Sequence, residues 1–193
     1  MGCCSSAPEL PSVSLVRYRY RKHLGSVCVS TVLGDITEEP VEVIVNSANI
    51  NLHHSGGVAG AILRKAGQEV QNESNALISE SGPLDYGSVA VTSAGALRYK
   101  YIFHAVGPVY DDGKQGEREV LEKAISTSLL KAEELRIRSI SFPAISAGIC
   151  GFPRSKCAEI FANAISQHLQ GKPLSSLREI RVISCDPATV SAN

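Results

Sequence analysis

Two short stretches rich in small residues carry the chemistry that this sequence offers. In Ser55-Gly56-Gly57-Val58-Ala59-Gly60 the glycines let the backbone approach a ligand closely and adopt positive φ. A helix starting near Gly57 would turn its unpaired amides outward, where its dipole favours an anion by about 0.3–1 kcal/mol per contact. The stretch therefore has the make-up of a phosphate cradle. It differs from the dinucleotide fingerprint G-x-G-x-x-G, because Ser55 holds the first glycine position and the preceding apolar run ends about eight residues too early. No Walker lysine follows it. A second stretch, Ser146-Ala147-Gly148-Ile149-Cys150-Gly151-Phe152, also follows a segment that reads as a buried strand and precedes a helical one. The first stretch alone could also be an ordinary strand-to-helix turn. Two of them at neighbouring strand ends can clamp a diphosphate from both sides.

The elements that must hold these loops alternate in type. Residues 9–12, which follow Pro8 and contain Pro11, read as a linker, so residues 1–12 form a tail and 13–193 one domain. Residues 15–22 and 26–34 read as strands, and 41–47 (VEVIVNS) as a strand buried on both faces. Residues 58–66 and 69–79 read as helices, and 88–94 and 101–106 as strands. Helical periodicity runs over 117–135 through Val120, Leu121, Ala124, Ile125, Leu129 and Ala132. A strand at 139–142, a helix at 153–169 with Pro153 in its first turn, and a strand at 179–184 complete the chain. This order predicts a three-layer α/β domain with a mostly parallel central sheet flanked by helices. Right-handed crossovers then bring the loops 34–37, 46–60 and 144–152 to one crevice at the strand C-terminal ends.

Read together, Gly34-Asp35-Ile36-Thr37, Val45-Asn46-Ser47-Ala48-Asn49, residues 54–60, Ala105-Val106-Gly107-Pro108 and residues 142–153 resemble the macrodomain family in order and spacing. The likeness extends over about residues 25–187. It is nearest to the macrodomains attached to poly(ADP-ribose) polymerase-type transferases, helped by Leu169-Gln170-Gly171-Lys172-Pro173 and Asp186-Pro187, and to viral macrodomains around residues 52–60. The resemblance implies a macrodomain fold with ADP-ribose as ligand, no cofactor and no metal.

It also implies roles for individual residues. Asp35 would accept from the adenine amino group, as an acceptor-only carboxylate can, and Ile36 would line the adenine pocket. Asn49 would hold the distal ribose hydroxyls, and Asn46 would brace the loop beneath them. Gly56, Gly57 and Val58, with Ser146, Ala147, Gly148, Ile149, Cys150 and Gly151, would take the phosphates. The implied activity is recognition of mono-ADP-ribosylated proteins and removal of mono-ADP-ribose from their acidic side chains, with Asn49 as the candidate catalytic residue. On that reading Asn49→Ala abolishes turnover and largely spares binding. Three departures bear on these expectations, the first on the hydrolytic mechanism and the other two on affinity, which should be weaker than in the tightest-binding members. Ala59 stands where one hydrolase branch has an aspartate, a base or water-orienting group. Cys150 replaces an aromatic that packs on the distal ribose, and no aromatic follows the last strand to stack on adenine. A non-catalytic reader and a membrane-anchored scaffold are the alternatives. His53 and His54 could shuttle protons or be partly exposed structural residues. His104 reads as core and Cys157 as packing.

Nineteen basic and nineteen acidic residues cancel, which argues against a general nucleic-acid binder. The six cysteines form no C-x-x-C pair and fit free thiols in a reducing cytoplasm, and a monomer is expected. No apolar run approaches the roughly 18–20 residues that span a bilayer. The first residues, Met1-Gly2-Cys3-Cys4-Ser5-Ser6, fit an N-myristoylation pattern at Gly2 with Cys3 and Cys4 as palmitoylation candidates. Arg17, Arg19, Arg21 and Lys22 could supply the basic patch that a single lipid needs for stable attachment at the cytosolic face of a membrane. The plainer alternative is a disordered start and the solvent face of a strand, because Tyr18 and Tyr20 alternate with the arginines.

Overall fold

A computed structural model describes residues 17–148, 150–170 and 175–185. The tail 1–12 with Gly2, Cys3 and Cys4, the first residues of the strand expected at 15–22, Ile149, Gly171-Lys172-Pro173 and Asp186-Pro187 lie outside them.

Among the described residues seven strands form one sheet: β1 (Arg17–Leu24), β2 (Val27–Leu33), β3 (Val43–Ala48), β4 (Val89–Thr92), β5 (Tyr101–Val106), β6 (Ser139–Pro143) and β7 (Glu179–Ser184). Their order is β1-β2-β7-β6-β3-β5-β4. The core pairs β2–β7, β7–β6, β6–β3 and β3–β5 are parallel, and the edge pairs β1–β2 and β4–β5 are antiparallel. The helices are α1 (Gly57–Ala66), α2 (Gln68–Ser81), α3 (Glu117–Glu134) and α4 (Arg154–Gln170). None of the helices in the described residues is long and apolar enough to cross a membrane.

Period-two alternation splits the sheet into two buried faces. Val43 and Val45 of β3 and Phe103 and Ala105 of β5 pack with Leu121 and Ile125 of α3 and Ile160 and Phe161 of α4. Ile44 and Ile102, on the opposite face, pack with Ile62 and Ala66 of α1 and Val70 of α2. Covering both faces explains why residues 43–45 form an unbroken apolar run, and each such side chain contributes about 1.5–3 kcal/mol by burial. The same alternation turns Asn46 and His104, paired in register, toward α1 and α2.

Element types agree with the sequence expectation, and bounds differ at the ends. β1 continues to Leu24 because its ladder with β2 runs to Leu24↔Val27, closed by a two-residue turn at Gly25-Ser26. β4 ends at Thr92, two residues early. Beyond it the Ser93 amide and hydroxyl turn away from the ladder to the Glu73 carboxylate of α2.

Candidate functional site

The loops after β2, β3 and β6 all leave the C-terminal edge of the parallel strands. The first carries Asp35. Its Oδ1 accepts from the Thr37 amide at 2.9 Å and the Thr37 hydroxyl at 2.6 Å, capping a 3-10 turn at Ile36–Glu38. Lys65 of α1 donates to Asp35 Oδ2 at 3.2 Å and to Glu38 at 2.5 Å. Partial burial pushes the Asp35 carboxyl up, but the Thr37 hydrogen bonds and the Lys65 ammonium outweigh it and hold it below its ordinary value. Oδ2 keeps room for one more donor. Ile36 is buried, and its carbonyl accepts from the Tyr99 hydroxyl at 3.0 Å. Arg98 donates to the Glu38 carbonyl at 2.7 Å. Glu39, next in sequence, is buried against Arg181 of β7, with Nε–Oε2 at 2.5 Å and Nη2–Oε1 at 3.0 Å, and Ser141 donates to Oε2 at 3.0 Å.

The loop after β3 is built around Asn49. Its Oδ1 accepts from the amides of Asn51 and His53, both at 3.1 Å, and its Nδ2 donates to the His53 carbonyl at 2.7 Å. One N–H of the Asn49 amide is left over by that arrangement. Gln71 of α2 grips the same loop, accepting from the His54 amide and donating to the Leu52 carbonyl. Helix α1 then starts at Gly57 behind Gly56, with no side-chain cap and no acidic residue in its first turn. Gly57 has φ of 56°, a left-handed value that L side chains adopt at a cost. The first-turn amides of α1 are thus left for an outside acceptor.

In the loop after β6, Ser146 is buried with φ of 63° and its carbonyl accepts from the Phe152 amide at 2.9 Å. Gly107 packs so closely here that a Cβ would lie 2.5 Å from Ser146 Oγ and 2.6 Å from Ile145 Cγ2. Hydrogen bonds from Gly151 to the Gly148 carbonyl and from Tyr110 to the Cys150 carbonyl close the loop. Glu117 steadies the flanking segment by accepting from the amides of Asp111, Gly113 and Gln115. Burial pushes that carboxyl up, and the amide donors overcome it and hold it at about 2. Burial pushes the Cys150 thiol up, the opposite of what an activated thiolate needs. Cys157 packs in the core and is pushed up to about 12 by burial. Among the described residues no cluster of three or more His, Cys, Asp or Glu could hold a metal ion.

Beneath the β3 loop lies a chain of polar groups. Asn46 Nδ2 lies 3.1 Å from His54 Nδ1 and 3.0 Å from His104 Nδ1, and the two rings stack at 4.7 Å. His54 Nε2 reaches Ser74 Oγ at 3.0 Å and His104 Nε2 reaches Thr92 Oγ1 at 2.8 Å. His54 is therefore buried, against the expectation of a partly exposed residue, while His53 beside it is exposed. Its neighbour Leu52, left-handed and fully buried, draws the loop inward. The Asn46 side chain faces this core and not the crevice. Gln71, Ser74, Thr92, Lys65 and Glu117 carry no local motif. Only Ser74 and Thr92, polar residues at buried positions of their helix and strand, give a hint.

The Macro domain family model matches residues 45–161. The chain belongs to the Macro domain family. An uncharacterized protein of Saccharolobus solfataricus is 50% identical over 151 residues, covering 78% of this chain and 81% of that protein. Human protein mono-ADP-ribosyltransferase PARP14 is 38% identical over 162 residues, covering 82% of this macrodomain, which spans only 9% of that protein. Among solved structures, the Oceanobacillus iheyensis macrodomain with ADP superposes with a TM-score of 0.86 at 30% identity, over 93% of this chain and 94% of that one. The Trypanosoma brucei macrodomain in complex with ADP-ribose gives 0.76 at 25% identity, over 85% and 66%. The three-layer fold expected from the sequence is the macrodomain fold, and structural neighbours of this macrodomain hold ADP and ADP-ribose.

Proposed function

We propose that this macrodomain binds ADP-ribose along the C-terminal edge of its sheet and removes it, as a single unit, from acidic side chains of modified proteins. The observation that carries the reading is the uncapped N-terminus of α1 at Gly56-Gly57-Val58, on the same sheet edge as Ser146, Ala147 and Gly148. The diphosphate lies between them, drawing on helix amides and the dipole. Asp35 Oδ2 accepts the adenine amino group, Ile36 lines the base, and the spare N–H of Asn49 goes to a hydroxyl of the distal ribose. The ADP-ribose-bound neighbour supports the ligand class.

In the hydrolytic step a water oxygen bonds to the anomeric carbon while the carbon–oxygen bond to the acidic side chain breaks. The free carboxylate leaves with the bond's electron pair. No carboxylate stands at Ala59, which is buried, so the water is oriented by Asn49 and the bound diphosphate, whose oxygen takes its proton. That absence also favours the second reading, a binder without turnover. Calorimetry with ADP-ribose followed by release from an automodified acceptor separates them. Heat without release at any protein concentration leaves the reader, and no heat at all removes both.

Gly57→Val places a branched side chain in a left-handed position inside the amide cradle. Affinity for ADP-ribose should fall about 10–100-fold while the domain stays folded, read by calorimetry and a thermal melt. Asn49→Ala deletes three loop hydrogen bonds as well as the ribose donor. Binding should therefore weaken about tenfold along with loss of turnover, where the sequence suggests that binding is spared. An unchanged dissociation constant would show that the loop holds itself.

The N-terminal lipid anchor is a separate part of the proposal and rests on Gly2, Cys3 and Cys4 alone. Wild type should partition to membranes and Gly2→Ala to the soluble fraction when expressed in cells. Equal partition removes the anchor.

A further inference from the structure

The buried chain Thr92–His104–Asn46–His54–Ser74 belongs to none of the ligand-facing groups, yet His54 is part of the segment that carries them. It lies five residues after Asn49 and two before Gly56. The two hydroxyls fix the direction of the whole chain. Ser74 donates to the Val70 carbonyl at 2.8 Å and Thr92 to the Ser93 carbonyl at 2.9 Å, so each must accept from the imidazole Nε2 beside it. Both rings are then Nε2–H tautomers whose Nδ1 atoms accept the two N–H groups of Asn46. The reverse orientation of the amide would leave its two donors without acceptors. Every donor in the chain is used, and each ring must be uncharged.

We propose that His54 is a positioning residue for the diphosphate loop: through Asn46 and Ser74 it holds residues 52–57 in the conformation that presents the first-turn amides of α1. The physical gain is preorganisation, because a loop already ordered loses little freedom when a ligand arrives. Without that ring the segment depends on the exposed Asn49 bonds, Gln71 and the Leu52 side chain. The binding arm of the proposal rests on the ADP-ribose reading, whereas the loop arm does not.

Two substitutions at one position test it. His54→Phe keeps a ring to stack on His104 but neither accepts nor donates. His54→Gln offers an oxygen for Asn46 and an N–H for Ser74 at a spacing close to that of the two imidazole nitrogens. Amide hydrogen exchange is followed at residues 52–54 and at Gly60, all hydrogen-bonded in the loop or at its helix junction. ADP-ribose affinity is measured by calorimetry. His54→Phe should speed exchange there and raise the dissociation constant about tenfold, while His54→Gln stays within about threefold of wild type in both. If His54→Phe behaves as wild type, or His54→Gln is as impaired as His54→Phe, the proposal is overturned. Should His54→Phe fail to fold, Ser74→Ala, which cuts one end of the chain, is read by the same two measurements. If wild type gives no heat with ADP-ribose, the proposed function fails, and the exchange rates alone decide the loop proposal.

Discussion

Arg181→Met will lower the unfolding free energy by about 3–5 kcal/mol, because it leaves the Glu39 carboxylate buried with no cation. Arg181 is 1% exposed and Glu39 2%. The guanidinium meets both carboxylate oxygens and also reaches Glu179 at 3.0 Å. Removing both partners is a different experiment. Arg181→Met with Glu39→Met abolishes two desolvation penalties at once, and the pair should recover most of the loss. Urea unfolding of the two single variants and the double variant gives the coupling directly. A single-variant loss below about 1 kcal/mol would mean that water reaches the carboxylate and the pair is not sealed. The pair also ties the turn bearing Asp35 and Ile36 to β7. ADP-ribose affinity should therefore drop in Arg181→Met even where the protein remains folded.

Acidification will destabilise the fold from a pH well above the carboxylate range. Burial pushes His54 down to about 4, with His53 adding to the effect, and His104 down to about 3, with His54 adding. Both start from an ordinary value near 6.5. Below that value the unfolded chain takes up protons while the folded one does not, so the unfolded state gains. The stabilisation is complete above pH 6.5 and is lost as pH falls toward the folded values of about 4 and 3. The slope approaches about 1.4 kcal/mol per pH unit for each ring, which gives roughly 4 kcal/mol between pH 6.5 and 4.5. No carboxylate contacts either ring among the described residues to offset this. The Glu73 carboxylate of α2 is taken by Ser93. Asp35, Glu117 and Glu133 are held below their ordinary values and act in the same direction, but only as pH falls through the carboxylate range. A variant carrying His54→Gln and His104→Gln should therefore lose the part of the pH dependence between 6.5 and 5 and keep the part below it. Urea midpoints measured across that range check the prediction, and a profile unchanged by the double substitution refutes it.

Much of the site's placement was readable from local pattern. The unbroken apolar run at residues 43–45 marks a strand covered on both faces, Ile140 and Phe142 mark a second strand, and the small-residue loops after them sit at the parallel edge where βα units leave their connections. Asp35 ahead of Thr37 is a local capping geometry, visible two residues apart. By contrast, Lys65 reaches Asp35 from 30 positions away and Tyr99 reaches Ile36 from 63, so no window along the chain contains either contact. His54 looks like any loop histidine until its ring is placed over His104.

The sequence by itself determined the order of strands and helices, the glycine-rich start of the helix after β3, the small-residue loop after β6, and membership of a family of five ordered motifs. These are short-range properties: side-chain period, glycine tolerance and helix ends. Only the tertiary structure decided which polar side chains are buried together. Asn46 meets His104 because β3 and β5 are parallel neighbours in one register, and Glu39 meets Arg181 across 142 residues. Pairing of that kind is set by strand order and by which face each residue turns inward, and neither is written in the residues on either side of it.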